Sequence, residues 1–229
     1  MKKIAVIIFY LIFLMTLTFG FNYQEQEHQH KHQDLDLYEL QRIRYTDRMY
    51  WQMPNRVLDE LNITPGMTIA DVGAGIGYFT FILAKRIGEE GKVYASDIDR
   101  AALAILDERR KEEELENISI IHGQEDDPLL PKDSVDLVLI VNSIQFVKEK
   151  TTFLNNIRRS LNENGKLVFI QWDAAKMDSE LPGWSKEDRE KYTIHTMLDM
   201  IYAASYEVLD IKYFLPMQLI YICQPSHVD

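Results

Sequence analysis

From residue 54 onward, apolar residues along this chain alternate between short strand-like runs and longer runs with helical spacing. Seven runs have the length and composition of strands, and they cover 68–72, 92–96, 118–122, 135–141, 166–171, 207–214 and 217–223. Helical spacing is found around and between them, over 54–61, 78–87, 101–114, 148–161 and 186–204. Strands that alternate with helices predict a parallel sheet covered by helices on both faces.

Two features of this pattern refine the fold. The run over 135–141, VDLVLIV, is apolar at nearly every position, which is typical of a central parallel strand buried on both faces. The last two strands are separated only by Leu215 and Pro216, so we expect them to pair antiparallel. The sequence therefore predicts one α/β domain with a Rossmann-like, doubly wound, mostly parallel seven-stranded sheet and an antiparallel C-terminal hairpin.

The first 21 residues are dominated by an apolar run. Lys2 and Lys3 precede this run, which covers 4–21. A basic start before an apolar segment predicts a secretory signal peptide, and a length of about 18 residues also suits an uncleaved N-terminal membrane anchor. Both interpretations stay open at this point. In either case the domain is expected to be exported, as a periplasmic or extracellular protein or one anchored to the membrane.

Residues 22–36 form a polar segment between the apolar run and the predicted domain, 37–229. The segment holds His28, His30 and His32 in an H-x-H-x-H array, which in an extended chain can bind a transition metal from one side. We favour a solvated linker, because the composition is that of an unfolded segment. No metal site is predicted.

Charge and cysteine content narrow the classes of function. The formal net charge is −11, and the basic residues are scattered apart from the short run Arg109, Arg110 and Lys111. Nucleic-acid partners are disfavoured, because phosphate binding needs a clustered positive surface. Cys223 is the only cysteine, which excludes a disulfide within the chain and sites that need several thiolates.

The first predicted strand leads into the most informative segment of the chain. It contains Asp71, and a G-x-G-x-G turn follows with Gly73, Gly75 and Gly77. Glycines at these positions let the main chain turn tightly and approach a ligand. The second strand is followed directly by Asp97, and an acid at this place suits ribose hydroxyls. Together these residues predict a nucleoside-binding site.

The form of the glycine turn indicates which nucleoside. A dinucleotide fingerprint needs its third glycine at position 78, which is Tyr78 here, and no Walker lysine follows the turn. The Asp-Val-G-x-G-x-G form resembles the first motif of class I S-adenosylmethionine-dependent methyltransferases. This resemblance extends over roughly 51–224. The W-Q-x-P sequence at 51–54 is similar to that of a subgroup of small exported methyltransferase-like proteins.

The resemblance implies S-adenosylmethionine as cofactor and the strand order 3-2-1-4-5-7-6. It implies that the glycines contact the methionine portion, that Asp71 orients their loop and attracts the α-amino group, and that Asp97 binds the ribose hydroxyls. Asp126 is expected near the adenine amine, although an exposed acidic loop is an equal alternative. The candidate cofactor-binding residues are Asp71, Gly73, Gly75, Gly77, Asp97, Asp126 and Asn142.

Two positions after the fourth strand depart from the resemblance. Asn142 stands where related proteins carry an acid, and Gln145 stands where they carry a histidine. His122 and His195 are interpreted as structural residues, so no catalytic base is assigned. The acceptor side of the site is expected in the segments 37–55 and 173–190.

Three functions are compatible with this sequence. We favour an enzyme that transfers a methyl group from S-adenosylmethionine to a small-molecule, lipid or envelope acceptor. Aminopropyl transfer from decarboxylated S-adenosylmethionine is a weaker alternative, because that chemistry needs additional acids and Asn142 is not one. The third is a non-catalytic, membrane-tethered protein that binds or senses S-adenosylmethionine. Neither the acceptor nor the oligomeric state is predicted.

Overall fold

The computed structural model of the protein describes residues 48–176 and 186–226. By its internal contacts the chain divides into two units, Met1–Arg48 and Met49–Asp229, and the second contains the fold described here. The apolar run and the histidine array lie outside the described residues, so the signal or anchor and the linker stay predictions. Within the described ranges, no helix is both long enough and apolar enough to span a bilayer.

Strands and helices alternate along the described part of the chain. The strands are β1 (Thr68–Val72), β2 (Lys92–Asp97), β3 (Ile118–His122), β4 (Val135–Val141), β5 (Leu161–Trp172), β6 (Tyr206–Lys212) and β7 (Gln218–Pro225). The helices are α1 (Pro54–Glu60), α2 (Tyr78–Ile87), α3 (Arg100–Glu112), α4 (Lys150–Ser160), α5 (Lys186–Glu190) and α6 (Ile194–Ala203), with a short 3₁₀ helix at Ile144–Phe146. Residues 48–51 are also helical.

The strands form one sheet in the order β3-β2-β1-β4-β5-β7-β6. Neighbouring strands from β3 to β5 are parallel, whereas β7 pairs antiparallel with both β5 and β6. These pairings confirm the predicted fold class and strand order. The chain changes direction across the sheet between β1 and β4. In open α/β sheets, ligands bind beside the carboxyl ends of the strands at this point.

The nearly continuous apolar run over 135–141 forms the central strand β4. Leu137, Val138, Leu139 and Ile140 are all buried, because helices cover both faces of the sheet. One face packs against apolar side chains of α4 and α6, which are Phe153, Leu154, Ile157, Met197 and Ile201. Because the strands are packed on both faces, the residues at which the loops of the carboxyl edge begin are held in place.

Two segments differ from the sequence prediction. The helix expected over 186–204 is broken into α5 and α6, because the Thr193 hydroxyl accepts a hydrogen bond from the Thr196 amide (3.1 Å) and caps a new helix. Strand β5 begins at Leu161 instead of residue 166, because Leu161 pairs with Val135 before the register shifts. Residues 162–165, between the predicted helix and the predicted strand, are therefore part of β5.

Cys223 provides a test of the packing of β7. Its thiol is fully buried, and this burial raises its pKa to about 12. Because the thiolate is the reactive form, we expect no labelling of the native protein by a disulfide reagent at pH 8 and rapid labelling in denaturant. The unfolded pKa is about 8.5. Burial of the neutral thiol therefore makes its full contribution to the free energy of unfolding below that pH. The contribution decreases progressively as the pH rises towards the pKa of the buried thiol.

The labelling experiment has a simple control. A Cys223→Ala variant gives the background signal, because the chain has no other cysteine. Rapid labelling of the native protein without denaturant would show that the thiol is exposed, which would contradict the packing described for β7.

Candidate active site

The loop between β1 and α2 is shaped by its glycines. Gly73 and Gly77 have φ angles of 77° and 88°, in the left-handed region that favours glycine. A Cβ atom on Gly73 would lie 2.4 Å from Ser143 Oγ, and one on Gly77 would lie 2.6 Å from Phe81 Cε2. Gly75 has a φ of 55°, but a Cβ there would meet no atom within 4 Å. Packing therefore requires the outer two glycines, and the middle one faces open space.

Asp71 is buried beneath this loop, with 3% of its surface exposed. Its Oδ2 accepts a hydrogen bond of 2.6 Å from the hydroxyl of Thr80 in the first turn of α2. Asp71 thereby ties the start of α2 to β1 and holds the loop between them. The side chain does not line the cavity described below, and its attraction for an α-amino group stays a prediction.

Asp97 ends β2 and connects two loops through its carboxylate. Its Oδ2 accepts a hydrogen bond from the Gly75 amide (2.7 Å), and its Oδ1 accepts one from the Asp99 amide (2.9 Å). An ionised carboxylate has about four lone-pair positions, so each oxygen retains capacity for a further donor. Asp97 therefore fixes the loops and still offers acceptor positions to a ligand.

A cavity of about 430 Å³ opens at the carboxyl ends of β1, β2 and β4. Of the predicted site residues, Gly73, Asp97 and Asn142 line it. Its apolar walls include Ile98 and Phe146, which expose 57% and 80% of their surface. Apolar side chains with this exposure offer surface to a ligand. The cavity thus combines a carboxylate with apolar walls, which suits a ribose joined to a flat base.

The structure places Asp126 differently from its neighbours. Its side chain is exposed and does not line the cavity, while its backbone carbonyl accepts a hydrogen bond from Asn156 Nδ2 (2.8 Å). Gln124 and Glu125 line the cavity instead. The resemblance placed an adenine contact in this loop, but its local turn, in which the Gln124 amide donates to the Asp127 carbonyl (2.7 Å), decides which side chains face inward. A contact between Asp126 and adenine stays a prediction.

Asn142 follows β4 in a left-handed conformation, with a φ of 51°. Asparagine tolerates this conformation better than most residues. Its Oδ1 accepts a hydrogen bond from Gln218 Nε2 (2.9 Å), and Gln218 Oε1 accepts one from Gln52 Nε2 (2.8 Å). Gln145 Nε2 donates to the Asn142 carbonyl (2.5 Å). Sequence reasoning had missed Gln218, and it had noted Gln52 only as part of W-Q-x-P.

The predicted acceptor side is also brought to this edge of the sheet. Trp51 stacks on Trp172 at the end of β5, with ring centroids 5.2 Å apart and an interplanar angle of 23°. Asp173 follows, is largely buried, and forms an ion pair with Lys176 (3.3 Å). Residues 37–47 and 177–185 of the two predicted acceptor segments lie outside the described residues.

Ionisable groups around the cavity are few. Those that line it are Asp97, Glu125 and Lys148, and the last two form an exposed ion pair of 3.3 Å. His122 is exposed beside the carbonyl of Ile98 and does not line the cavity. In residues 48–176 and 186–226, no group of three or more His, Cys, Asp or Glu side chains is placed to hold a metal ion.

A family profile described as a methyltransferase domain matches residues 63–217, about two thirds of the chain. The chain belongs to this methyltransferase family. The match confirms the predicted resemblance to class I S-adenosylmethionine-dependent methyltransferases, and with it S-adenosylmethionine as the cofactor. The proposed subgroup of small exported proteins stays a prediction.

A curated relative and two solved structures agree with this family. The chain is 28% identical over 114 residues to demethylmenaquinone methyltransferase of Geobacillus sp. (strain WCH70), which covers 50% of this chain and 49% of the relative. It therefore spans about half the length of the curated relatives it matches. A SAM dependent methyltransferase from Aquifex aeolicus has a TM-score of 0.70 at 24% identity, with 77% of this chain and 92% of that chain covered.

The second structure was solved with a cofactor product. Geranyl diphosphate C-methyltransferase from Streptomyces coelicolor A3(2), in complex with Mg²⁺, geranyl diphosphate and S-adenosyl-L-homocysteine, has a TM-score of 0.62 at 13% identity. The match covers 76% of this chain and 79% of that chain. At these identities both structural likenesses show the fold. The methyltransferase cofactor fits the cavity described above, because Asp97 keeps free acceptor positions beside apolar walls.

Replacing Asp97 tests this fit. Asp97→Asn removes the charge and turns one acceptor oxygen into a donor that faces a main-chain amide. Since hydrogen bonds to charged groups contribute about 1.5–3 kcal/mol, we expect S-adenosylhomocysteine to bind at least about tenfold more weakly in a calorimetric titration. Asp99→Asn is the matched control. It changes a neighbouring carboxylate that does not line the cavity, and asparagine caps a helix as well as aspartate does. Equal losses in both variants would contradict a specific role for Asp97.

Proposed function

We propose that this protein transfers the methyl group of S-adenosylmethionine to an apolar, lipid-like small molecule. The observation that carries the proposal is the Asp97 carboxylate, which is fixed beside the glycine loop on a cavity whose other walls are mainly apolar. The family assignment supports the reaction class.

The cofactor side of the cavity is assigned as follows. Asp97 would accept hydrogen bonds from the ribose hydroxyls, Gly73 would let the main chain approach the methionine portion, and Ile98 would cover the base. When bound, S-adenosylmethionine supplies a methyl group that its sulfonium makes electrophilic. The protein therefore needs mainly to align the acceptor and exclude water.

The acceptor side favours an apolar molecule. Ile140, Ile144, Val147 and Phe153 line the cavity together with the exposed ring of Phe146. The names of two similar proteins specify demethylmenaquinone and geranyl diphosphate, which both carry apolar prenyl chains. The net charge of −11 argues against a nucleic-acid acceptor.

A non-catalytic protein that binds or senses S-adenosylmethionine is the second candidate. The observation that favours it is the chemistry of Asn142 and Gln145, because carboxamides do not act as acids or bases at ordinary pH. Methyl transfer to an acceptor that is already ionised needs no base from the protein. The two candidates therefore differ in turnover and share the binding of the cofactor.

Transfer of a radioactive methyl group separates these candidates. Full-length protein in mild detergent is incubated with methyl-labelled S-adenosylmethionine and a total lipid extract, and label is counted in the organic phase. We expect label to enter that phase with the unchanged protein and to be reduced at least about tenfold with Asp97→Asn. Cofactor binding without any transfer would favour the non-catalytic protein. Failure of the folded protein to bind S-adenosylmethionine would contradict both.

The apolar run over 4–21, preceded by two lysines, supports an exported domain held at or released from a membrane. This location would bring the cavity close to lipid-like acceptors. In a bacterial host, we expect a C-terminal tag on the full chain to be digested by protease added to spheroplasts. A chain that lacks 4–21 should be protected until the cells are lysed. Protection of the full chain in intact spheroplasts would contradict export.

A further inference from the structure

Three carboxamides from distant parts of the chain form one hydrogen-bonded row that ends at the cavity. Gln52 Nε2 donates to Gln218 Oε1 (2.8 Å), and Gln218 Nε2 donates to Asn142 Oδ1 (2.9 Å). Gln52 and Gln218 are fully buried. Buried carboxamides must be matched donor to acceptor, because an unpaired polar group costs about 1–3 kcal/mol. The orientation of the Gln52 carboxamide therefore fixes that of Gln218, which in turn fixes that of Asn142.

The orientation decides which atom of Asn142 is free. Each carboxamide has an oxygen that accepts and a nitrogen that donates through two hydrogens. Since Gln218 occupies Oδ1 of Asn142, the Nδ2 group is the part of this side chain left for the cavity that Asn142 lines. Asn142 thus presents a hydrogen-bond donor to the cavity.

The main chain holds this donor in place. The Asn142 amide donates to the Ile170 carbonyl (3.0 Å), and its own carbonyl accepts from Gln145 Nε2 (2.5 Å). Because Asn142 has a φ of 51°, its side chain does not follow the alternation of side chains between the two faces of the sheet along β4. Gln218 and Gln52 act as positioning residues, because they lie behind Asn142 and do not line the cavity.

We infer that the Asn142 carboxamide binds an ionised oxygen of the acceptor, of the phenolate or enolate type, and that Gln218 and Gln52 orient it for this purpose. The inference rests on the proposed function and specifies its substrate class. An amide donor cannot remove a proton, so the acceptor oxygen loses its proton to solvent before it binds. Hydrogen bonds to an anion are stronger than those to a neutral oxygen, and the donor therefore selects the ionised form.

Other charges near the site do not supply this selection. Asp97 and Glu125 line the cavity and oppose a bound anion, while Lys148 is exposed and paired with Glu125. Beyond β5, the charge of Asp173 is paired with Lys176. All of these groups are unchanged in the variants below, so a difference between variants reports the carboxamide row.

The test uses 4-nitrophenol as a probe, because its phenol and phenolate absorb at different wavelengths. Wild-type protein loaded with S-adenosylhomocysteine is titrated from pH 5 to pH 9 with bound probe, and the apparent pKa of the probe is measured by absorbance. We expect the wild type to prefer the phenolate by about tenfold or more, which lowers the pKa of the bound probe by at least about one unit.

Two substitutions replace the hydrogen-bond donor that Asn142 presents to the cavity with an acceptor. Asn142→Asp replaces the donor with a carboxylate of the same shape, and aspartate also tolerates the left-handed conformation. Gln218→Glu leaves the cavity lining unchanged, but its carboxylate accepts from both neighbours and turns the Asn142 oxygen towards the cavity. We expect both variants to lose the phenolate preference and raise the pKa of the bound probe above its value in water. Asn142→Gly, which keeps the backbone conformation, should remove the preference without reversing it.

Binding of S-adenosylhomocysteine to the same samples separates this inference from the proposed function. If the nucleoside binds but wild type shows no phenolate preference or no probe binding, the inference is overturned and the proposed function stands. The same holds if Gln218→Glu binds the nucleoside and keeps the wild-type preference. If Gln218→Glu does not fold, Asn142→Asp decides the question alone. Absence of nucleoside binding in the wild type overturns the proposed function.

Discussion

The site depends on one carboxylate that joins two loops. Asp97 accepts hydrogen bonds from the main chain of Gly75, after β1, and of Asp99, before α3. Parallel strands bring their carboxyl ends to a common edge, but they do not by themselves hold the loops that follow in register. The carboxylate supplies that connection between the loops after β1 and β2, next to the point between β1 and β4 where the sheet reverses its order, and it leaves acceptor positions free.

The two halves of the cavity differ in charge, and the difference has chemical consequences. On the cofactor side a fixed carboxylate faces the space where hydroxyl donors are expected. On the proposed acceptor side, Asn142 is a neutral carboxamide whose Oδ1 accepts a hydrogen bond from the neutral carboxamide of Gln218. A neutral side of this kind does not bind or release protons, so it can recognise an acceptor by orientation rather than by acid–base chemistry.

Unfavourable local features also lie beside the carboxamide row of Gln52, Gln218 and Asn142. Met53 and Asn142 both have left-handed main-chain conformations, with φ angles of 43° and 51°. Gln171, near the end of β5, is fully buried, and neither polar atom of its side chain has a hydrogen-bond partner among the described residues. Strained residues and unpaired polar groups concentrate at functional sites, where the surrounding packing holds them in place. Here β5 holds Gln171 and Asn142 in place, because Gln171 pairs with Leu219 of β7 and the Asn142 amide donates to the Ile170 carbonyl.

Local sequence determined the class of fold, the glycine loop and Asp97, because these depend on apolar periodicity and on the spacing of neighbouring strands. It did not determine the row from Gln52 through Gln218 to Asn142, whose first two members are 166 residues apart. Nor did it decide that Gln124 and Glu125 line the cavity while Asp126 faces solvent. Only the tertiary structure decided these points. The partner of a buried amide follows from strand pairing between distant segments, and a side chain in a loop lines the cavity only where its turn lies beside the other walls.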